Sequence, residues 1–242
     1  MLDKPAGLSL STPRGRAGEA AGRLVAALPA HERSLFEGRE LFLVHRLDVS
    51  TSGLVVLALD AEMHVELARA FAERRVAKLY LALVWGRPRP RAGSFESPLA
   101  PDRADRRRML VDPAGKPARS DWYVIASVAY VSLVALWART GRTHQLRVHL
   151  AAAGHPVVGD DLYGGPRHRG VRGAKLRSAL TAQRALLHAW RLELPGVEPS
   201  RFEAPPPPDF SAARRAARLA LADAQELWQS APKSGPTARL GA

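Results

Sequence analysis

Ten consecutive residues, His45-Arg46-Leu47-Asp48-Val49-Ser50-Thr51-Ser52-Gly53-Leu54, place a charged triplet, His45, Arg46 and Asp48, between two apolar runs. Leu41 to Val44 precede the stretch and Val55 to Leu59 extend it, so an ionisable cluster falls where two buried strands would meet. Taking a carboxylate out of water is costly unless it is paired. The stretch is therefore either a structural ion pair or a working site, and the fold has to bring a cation to Asp48.

With 242 residues and 46% apolar content the chain can build a proper core, as one large domain or two small ones. Cysteine is absent, which excludes disulfides, thiolate nucleophiles and Cys-ligated zinc. The N-terminus lacks the basic and apolar regions of a signal peptide, and no apolar run approaches the roughly 20 residues that span a bilayer. A soluble cytoplasmic protein with no membrane partner is expected. The formal charge is +13, and Lys occurs only at positions 4, 78, 116, 175 and 233, so Arg dominates. Arg pairs bidentately with phosphate and stacks on bases, which favours a nucleic-acid partner over the bland alternative of a GC-rich genome.

No internal repeat is visible, and the chemistry-bearing segments run from Lys4 to about Phe210, which predicts one domain over residues 1–210. Residues 211–242 read as an appended helix and tail, with Ser211 as cap and Leu219, Leu221 and Leu227 on the helix. Asp60 is placed to cap a helix over about 61–74 whose core stripe is Met63, Leu67 and Phe71. Residues 76–85 read as a strand with Leu79, Leu81, Leu83 and Trp85 on one face and Lys78 and Tyr80 on the other. Asp102 to Arg108 form a basic turn before Met109-Leu110-Val111. Two strands follow, at about 121–127 and 130–137. Thr143 is then placed to cap a helix ending at Gly154, with His144 and Arg147 on one line and Leu146, Leu150 and Ala153 as its apolar side. Strands at about 186–194 and 201–204 close the domain. Consecutive strands outnumbering long helices argue an α+β fold on a mixed or antiparallel sheet.

Several chemistries are excluded by spacing. His144 and His149 are five apart, on different sides of a helix, and no His-Glu-x-x-His occurs. There is no Gly-x-Ser-x-Gly elbow, P-loop or dinucleotide fingerprint. That leaves Asp48 with a cationic partner, Arg46 or Arg147, since an adjacent guanidinium favours the charged form of a carboxylate that must act as nucleophile or base. His45, His144 and His149 read as hydrogen-bonded structural residues, and Asp160 as the tie of a turn.

The stretch from His45 to Leu54 resembles the H-R-L-D-x-x-T-S-G-L element of the RluA-type family of RNA pseudouridine synthases. Lys78-Leu79-Tyr80-Leu81-Ala82-Leu83-Val84-Trp85-Gly86 is similar to its K-x-Y-x-A-x-V-x-G strand. Gly141 to Leu150, continued by Gly154-His155-Pro156-Val157-Val158-Gly159-Asp160 and Tyr163-Gly164, resembles its third element. Weaker matches at Asp3-Lys4-Pro5-Ala6-Gly7, at Leu187-His188-Ala189 and at 205–210 extend the likeness over roughly residues 3–210. The resemblance implies a pseudouridine synthase catalytic fold with a central active-site cleft. It makes Asp48 the catalytic residue, with Arg147 pairing with it, Tyr80 stacking on the target uracil, Leu146 bounding its pocket, and Arg46 filling the space of the flipped nucleotide. It implies ribosomal or transfer RNA as partner, no cofactor or metal, and a monomer with one cleft per chain. Extracting a base from its stack costs a few kcal/mol, which an aromatic platform and a planar cation can offset.

Departures from the pattern are expected at the ends: the family's N-terminal strand is missing and no S4-type RNA-binding domain is visible. The rival reading is a non-catalytic RNA-binding or ribosome-assembly protein with the same fold. Intact Asp48, Tyr80 and Arg147 weigh against it, because binding alone needs no buried nucleophile. A metal-dependent nuclease is a third reading, which chelators would reveal.

Overall fold

The structure, a computed structural model, describes residues 1–11, 17–164, 167–221 and 237–238. In chain order the elements are β1 (Leu2–Lys4), α1 (Ala17–Ala26), α2 (Ala30–Arg33), β2 (Phe42–Leu43), β3 (Ser52–Val55), β4 (Leu57–Ala58), α3 (Ala61–Ala72) and β5 (Ala77–Trp85). There follow β6 (Ala92–Phe95), β7 (Leu99–Pro101), β8 (Met109–Val111), β9 (Ser120–Ser127), β10 (Val131–Ala138) and α4 (Gln145–Ala152). A 3-10 turn (Arg167–Gly170), α5 (Ala174–Ala179), β11 (Leu187–Glu193), β12 (Arg201–Glu203), α6 (Pro208–Ala216) and β13 (Thr237–Ala238) complete the run. The pairs β1–β3, β2–β4, β5–β10, β10–β9, β9–β6, β7–β8 and β11–β12 are antiparallel and β13–β6 is parallel, so the sheet is mixed and mostly antiparallel and the fold is α+β. The chain divides into two compact units: residues 1–77 with 189–205, and 78–188 with 206–242.

In the first unit β1 pairs with β3, Lys4 opposite Gly53, and β11 pairs with β12. Gly53 is there because nothing larger fits: its φ is +113°, and a Cβ would stand 2.2 Å from the Ala189 carbonyl oxygen of β11. The two apolar runs do meet, β2 against β4, and residues 44–56 form the long connection between them that carries the charged triplet. The core of this unit joins Leu54, Val56 and Ala58 to Leu67 and Ala70 of α3 and to Val76, Leu192 and Leu194.

Asp60 caps α3 as its sequence demands, its carboxylate accepting the Met63 N–H at 2.7 Å. The buried stripe is Leu67, Ala70 and half-buried Phe71, one turn tighter than expected, and Met63 stays 37% exposed.

In the second unit β5 pairs with β10, β10 with β9, and β9 with β6, while β7 and β8 form a separate hairpin. β5 is fully buried from Leu81 onward, because Ala82 and Val84 on the second face pack with Leu136, Leu146 and Leu150. The alternating pattern therefore describes only its first residues, where Lys78 and Tyr80 remain half-buried. Helix α4 is buried on all sides, from Gln145 through Leu150, rather than along one stripe. The last described helix starts at Pro208, not Ser211. Pro207 precedes it, and Leu219 lies beyond its end although buried. Proline at the first helical position loses no hydrogen bond, which favours that earlier start. Leu227 lies outside the described residues.

Candidate active site

Asp48 opens a tight turn, closed by the Thr51 N–H donating to the Asp48 carbonyl at 3.1 Å. The next carbonyl, Val49, accepts the Gly7 N–H at 2.7 Å and the Lys4 ammonium at 3.3 Å. Lys4 is wholly buried and also donates to the Pro5 and Leu8 carbonyls at 2.8 and 3.0 Å. Three carbonyl dipoles thus replace the water around one ammonium. The result is that residues 5–8 and the turn after Asp48 are clamped on a single cation. Asp48 itself is half-buried, Leu47 beneath it is buried, and Arg46 is exposed.

His45 is structural, as expected: its Nε2 accepts the Val56 N–H at 3.2 Å, and its ring stacks on Phe71 at 4.5 Å. Thr51, at 2% exposure, has a hydroxyl with no hydrogen-bond partner among the described residues.

In the second unit Tyr80, opposite Leu136 in the β5–β10 ladder, packs on the core cluster that contains Leu146. Arg147 follows Leu146 on α4 and is 4% exposed. Its Nε and Nη2 each donate to a different oxygen of Asp160, both at 2.7 Å. Such a two-point pair fixes the guanidinium plane as well as its position. Asp160 in turn accepts the Leu162 and Tyr163 N–H groups at 3.1 and 3.2 Å. Asp160 therefore ties its turn, as its residue type suggests, and also holds the arginine. The charge argument and the family resemblance point to Asp48 as a partner of Arg147, and sequence reasoning misses Asp160 as one.

Tyr163 adds a second hold that spacing does not disclose. Its ring lies 5.1 Å from the Arg147 guanidinium carbon and 5.6 Å from that of Arg108. Its hydroxyl accepts the Met109 N–H at 2.8 Å and lies 2.8 Å from His144 Nδ1. Thr143 does not cap α4. His144 takes the N-cap position with φ at +54°, a left-handed backbone uncommon outside glycine. The Gln145 side chain does the work of a cap from inside the helix, accepting the Arg142 N–H at 3.0 Å.

Gln145 also anchors a buried chain of hydrogen bonds. Its oxygen accepts the Thr140 hydroxyl at 2.6 Å, and its nitrogen donates to the Arg119 carbonyl at 2.9 Å and to Ser120 Oγ at 2.8 Å. With that lone pair filled, the Ser120 hydroxyl donates onward to His149 Nδ1 at 3.0 Å. His149 Nε2–H then donates to the Ser97 carbonyl at 3.0 Å. The directions leave His149 one neutral tautomer, and burial lowers its pKa below the ordinary imidazole value.

The basic turn between β7 and β8 neutralises part of its own charge. Arg107 makes a two-point pair with Asp105 at 2.9 and 2.8 Å, and Arg108 lies 3.9 Å from Asp102. Side-chain and backbone hydrogen bonds from Arg107 hold the Asp105 carboxyl down at about 2.

The model of the RNA pseudouridylate synthase family matches residues 1–152. The chain is 41% identical over 213 residues to an uncharacterized RNA pseudouridine synthase of Chloroflexus aurantiacus, covering 86% of this chain and 63% of that protein. It is 42% identical over 153 residues to the dual-specificity RNA pseudouridine synthase RluA of Escherichia coli, covering 62% of this chain and 65% of the relative. An uncharacterized RNA pseudouridine synthase of Zymomonas mobilis is 36% identical over 218 residues, with 87% and 91% covered. The chain thus spans under two thirds of the length of the first two relatives. Among solved structures, human RNA pseudouridylate synthase domain containing 4 superposes with a TM-score of 0.69 at 26% identity, covering 91% of this chain and 90% of that one. Motif, fold and kinship agree: the chain belongs to the RluA-type family of RNA pseudouridine synthases.

Proposed function

We propose that this protein isomerises specific uridines to pseudouridine in structured ribosomal or transfer RNA. The observation that carries the reading is the intact ten-residue element ending at Leu54, with Asp48 at the head of a turn clamped through Val49 by Lys4 and Gly7. The reaction breaks the C1′–N1 bond, turns the uracil, joins C1′ to C5, and moves the C5 proton to N1. Asp48 either attacks C1′ or removes the C2′ proton to give a glycal, and both routes use the same carboxylate. Tyr80 stacks on the flipped uracil, Leu146 bounds it, and Arg46 fills the gap left in the RNA. Arg147 acts on the same nucleotide, as the partner of Asp48. The catalytic domain covers residues 1–210 and works as a monomer, without metal or cofactor, in the cytoplasm. No described helix is long and apolar enough to cross a membrane.

The deciding experiment maps pseudouridine in RNA from cells lacking the gene, after incubation with purified protein. Asp48→Asn is expected to abolish product while retaining RNA affinity. Unimpaired turnover by that variant would refute the assignment of Asp48, and binding without turnover by the wild type would favour the non-catalytic reading.

A further inference from the structure

The arginines of the β7–β8 turn are partly cancelled by aspartates, but another surface of the second unit is not. From Leu162 to Leu192 the sequence holds no Asp or Glu, while Arg167, Arg169, Arg172, Lys175 and Arg177 fall within eleven residues of one another. The segment is anchored. Val171 and Leu180, on either side of α5, are buried, the Arg172 N–H donates to the Tyr130 hydroxyl at 3.4 Å, and Arg167 reaches the Gly154 carbonyl at 3.3 Å. Arg172, Lys175 and Arg177 are exposed, with no acidic partner among the described residues.

Helix α5 packs on α6, which adds exposed Arg215, with exposed Arg218 just beyond its end. The acid on α6, Asp209, is engaged by Arg184 at 2.6 and 2.9 Å. Burial alone would raise the Asp209 carboxyl, and the Arg184 guanidinium more than reverses this, keeping it ionised and neutralised in place. The α5–α6 pair therefore presents one sign of charge on a fixed frame.

We propose that this α5–α6 face is a docking surface for the phosphate backbone of the RNA substrate, separate from the residues that handle the uridine. The proposal rests on the RNA-modifying reading above. Guanidinium predominance suits phosphate, which it meets with a two-point fork. A lipid surface or a protein partner would call for apolar or aromatic anchors beside the charges. Among the described residues, the large exposed apolar side chains, Leu35, Val49, Leu59, Met63 and Val65, all lie in the first unit, none of them on this face.

The test compares wild type with Arg172→Gln/Lys175→Gln/Arg177→Gln and with a charge-matched control, Arg33→Gln/Arg39→Gln/Arg74→Gln. RNA affinity is measured over a salt series on in vitro transcribed large-subunit ribosomal RNA and on bulk transfer RNA, together with kcat and KM for pseudouridine formation on cellular RNA. Removing three phosphate contacts is expected to reduce the slope of log affinity against log salt by about 2 to 3 and to raise KM at least tenfold at low salt, with kcat retained. The control is expected to change the slope by less than about 1. Equal losses in the two triple variants would reduce the effect to net charge and overturn the proposal, as would an unchanged slope in the α5 variant. Absence of pseudouridine with the wild type would instead fail the catalytic reading. Thermal unfolding of each variant verifies that the fold is retained.

Discussion

Single residues in this protein carry obligations that their neighbours define. Arg147 shows it best. Its 2.7 Å two-point pair with buried Asp160 means that Arg147→Met leaves a carboxylate uncompensated, a loss on the order of 3–5 kcal/mol. The informative variant is Arg147→Met with Asp160→Asn, which removes both charges. It is expected to unfold within a few degrees of wild type yet form little pseudouridine, and near-normal turnover would remove Arg147 from the reaction. Thr51 offers the opposite case, since its buried hydroxyl has no partner among the described residues. Thr51→Val should leave stability unchanged or raise it by up to about 1 kcal/mol, measured by urea unfolding. Gly53→Ala should be severely destabilising, because its Cβ would collide with the Ala189 carbonyl. At this scale the ten-residue motif stands out in the sequence because a charged triplet between two apolar runs is chemically unusual. The Asp160 partnership does not, because thirteen residues separate it from Arg147 and an Asp among glycines and prolines reads as the tie of its own turn.

Elements were legible where the signal is local. Asp60 and the Leu67 stripe announce α3, and the β-branched and leucine-rich runs announce β5, β9 and β10. Helices α1 and α5 went unpredicted, and so did the entry to α4. The left-handed His144 lies 2.8 Å from the Tyr163 hydroxyl nineteen residues away, a partner that no helix-length window of sequence contains. The chain of bonds through Gln145 predicts a pH effect on the framework holding α4. His149 is disfavoured as a cation in the folded state but protonates freely when unfolded, so the folded protein binds fewer protons. Stability from this group is therefore complete above about pH 6.5 and falls as the pH drops below it. His149→Asn is expected to flatten that part of a stability-versus-pH curve measured by urea unfolding; an unaltered curve would clear His149 of the effect. In the β7–β8 turn, Arg106→Gln is expected to weaken RNA binding more than Arg107→Gln, since Asp105 already occupies the second guanidinium.

For the molecule as a whole, the +13 charge predicts RNA binding that weakens steeply with salt, by at least tenfold between 50 and 200 mM, and displacement of RNA by heparin. Filter binding across that range checks it. Composition points to this partner class, but it does not show how the chain divides. The unit that bears Asp48 is made of residues 1–77 and 189–205, so its strand β3 lies next to one that arrives more than a hundred residues later. During vectorial synthesis the N-terminal segment emerges from the ribosome with a sheet edge unsatisfied, and it stays so until Ala189 and its neighbours have been translated. The Asp48 unit, begun before residues 78–188 are made, is completed only after them, so a nascent chain stalled before Ala189 would expose that edge to chaperones or to a second copy of itself.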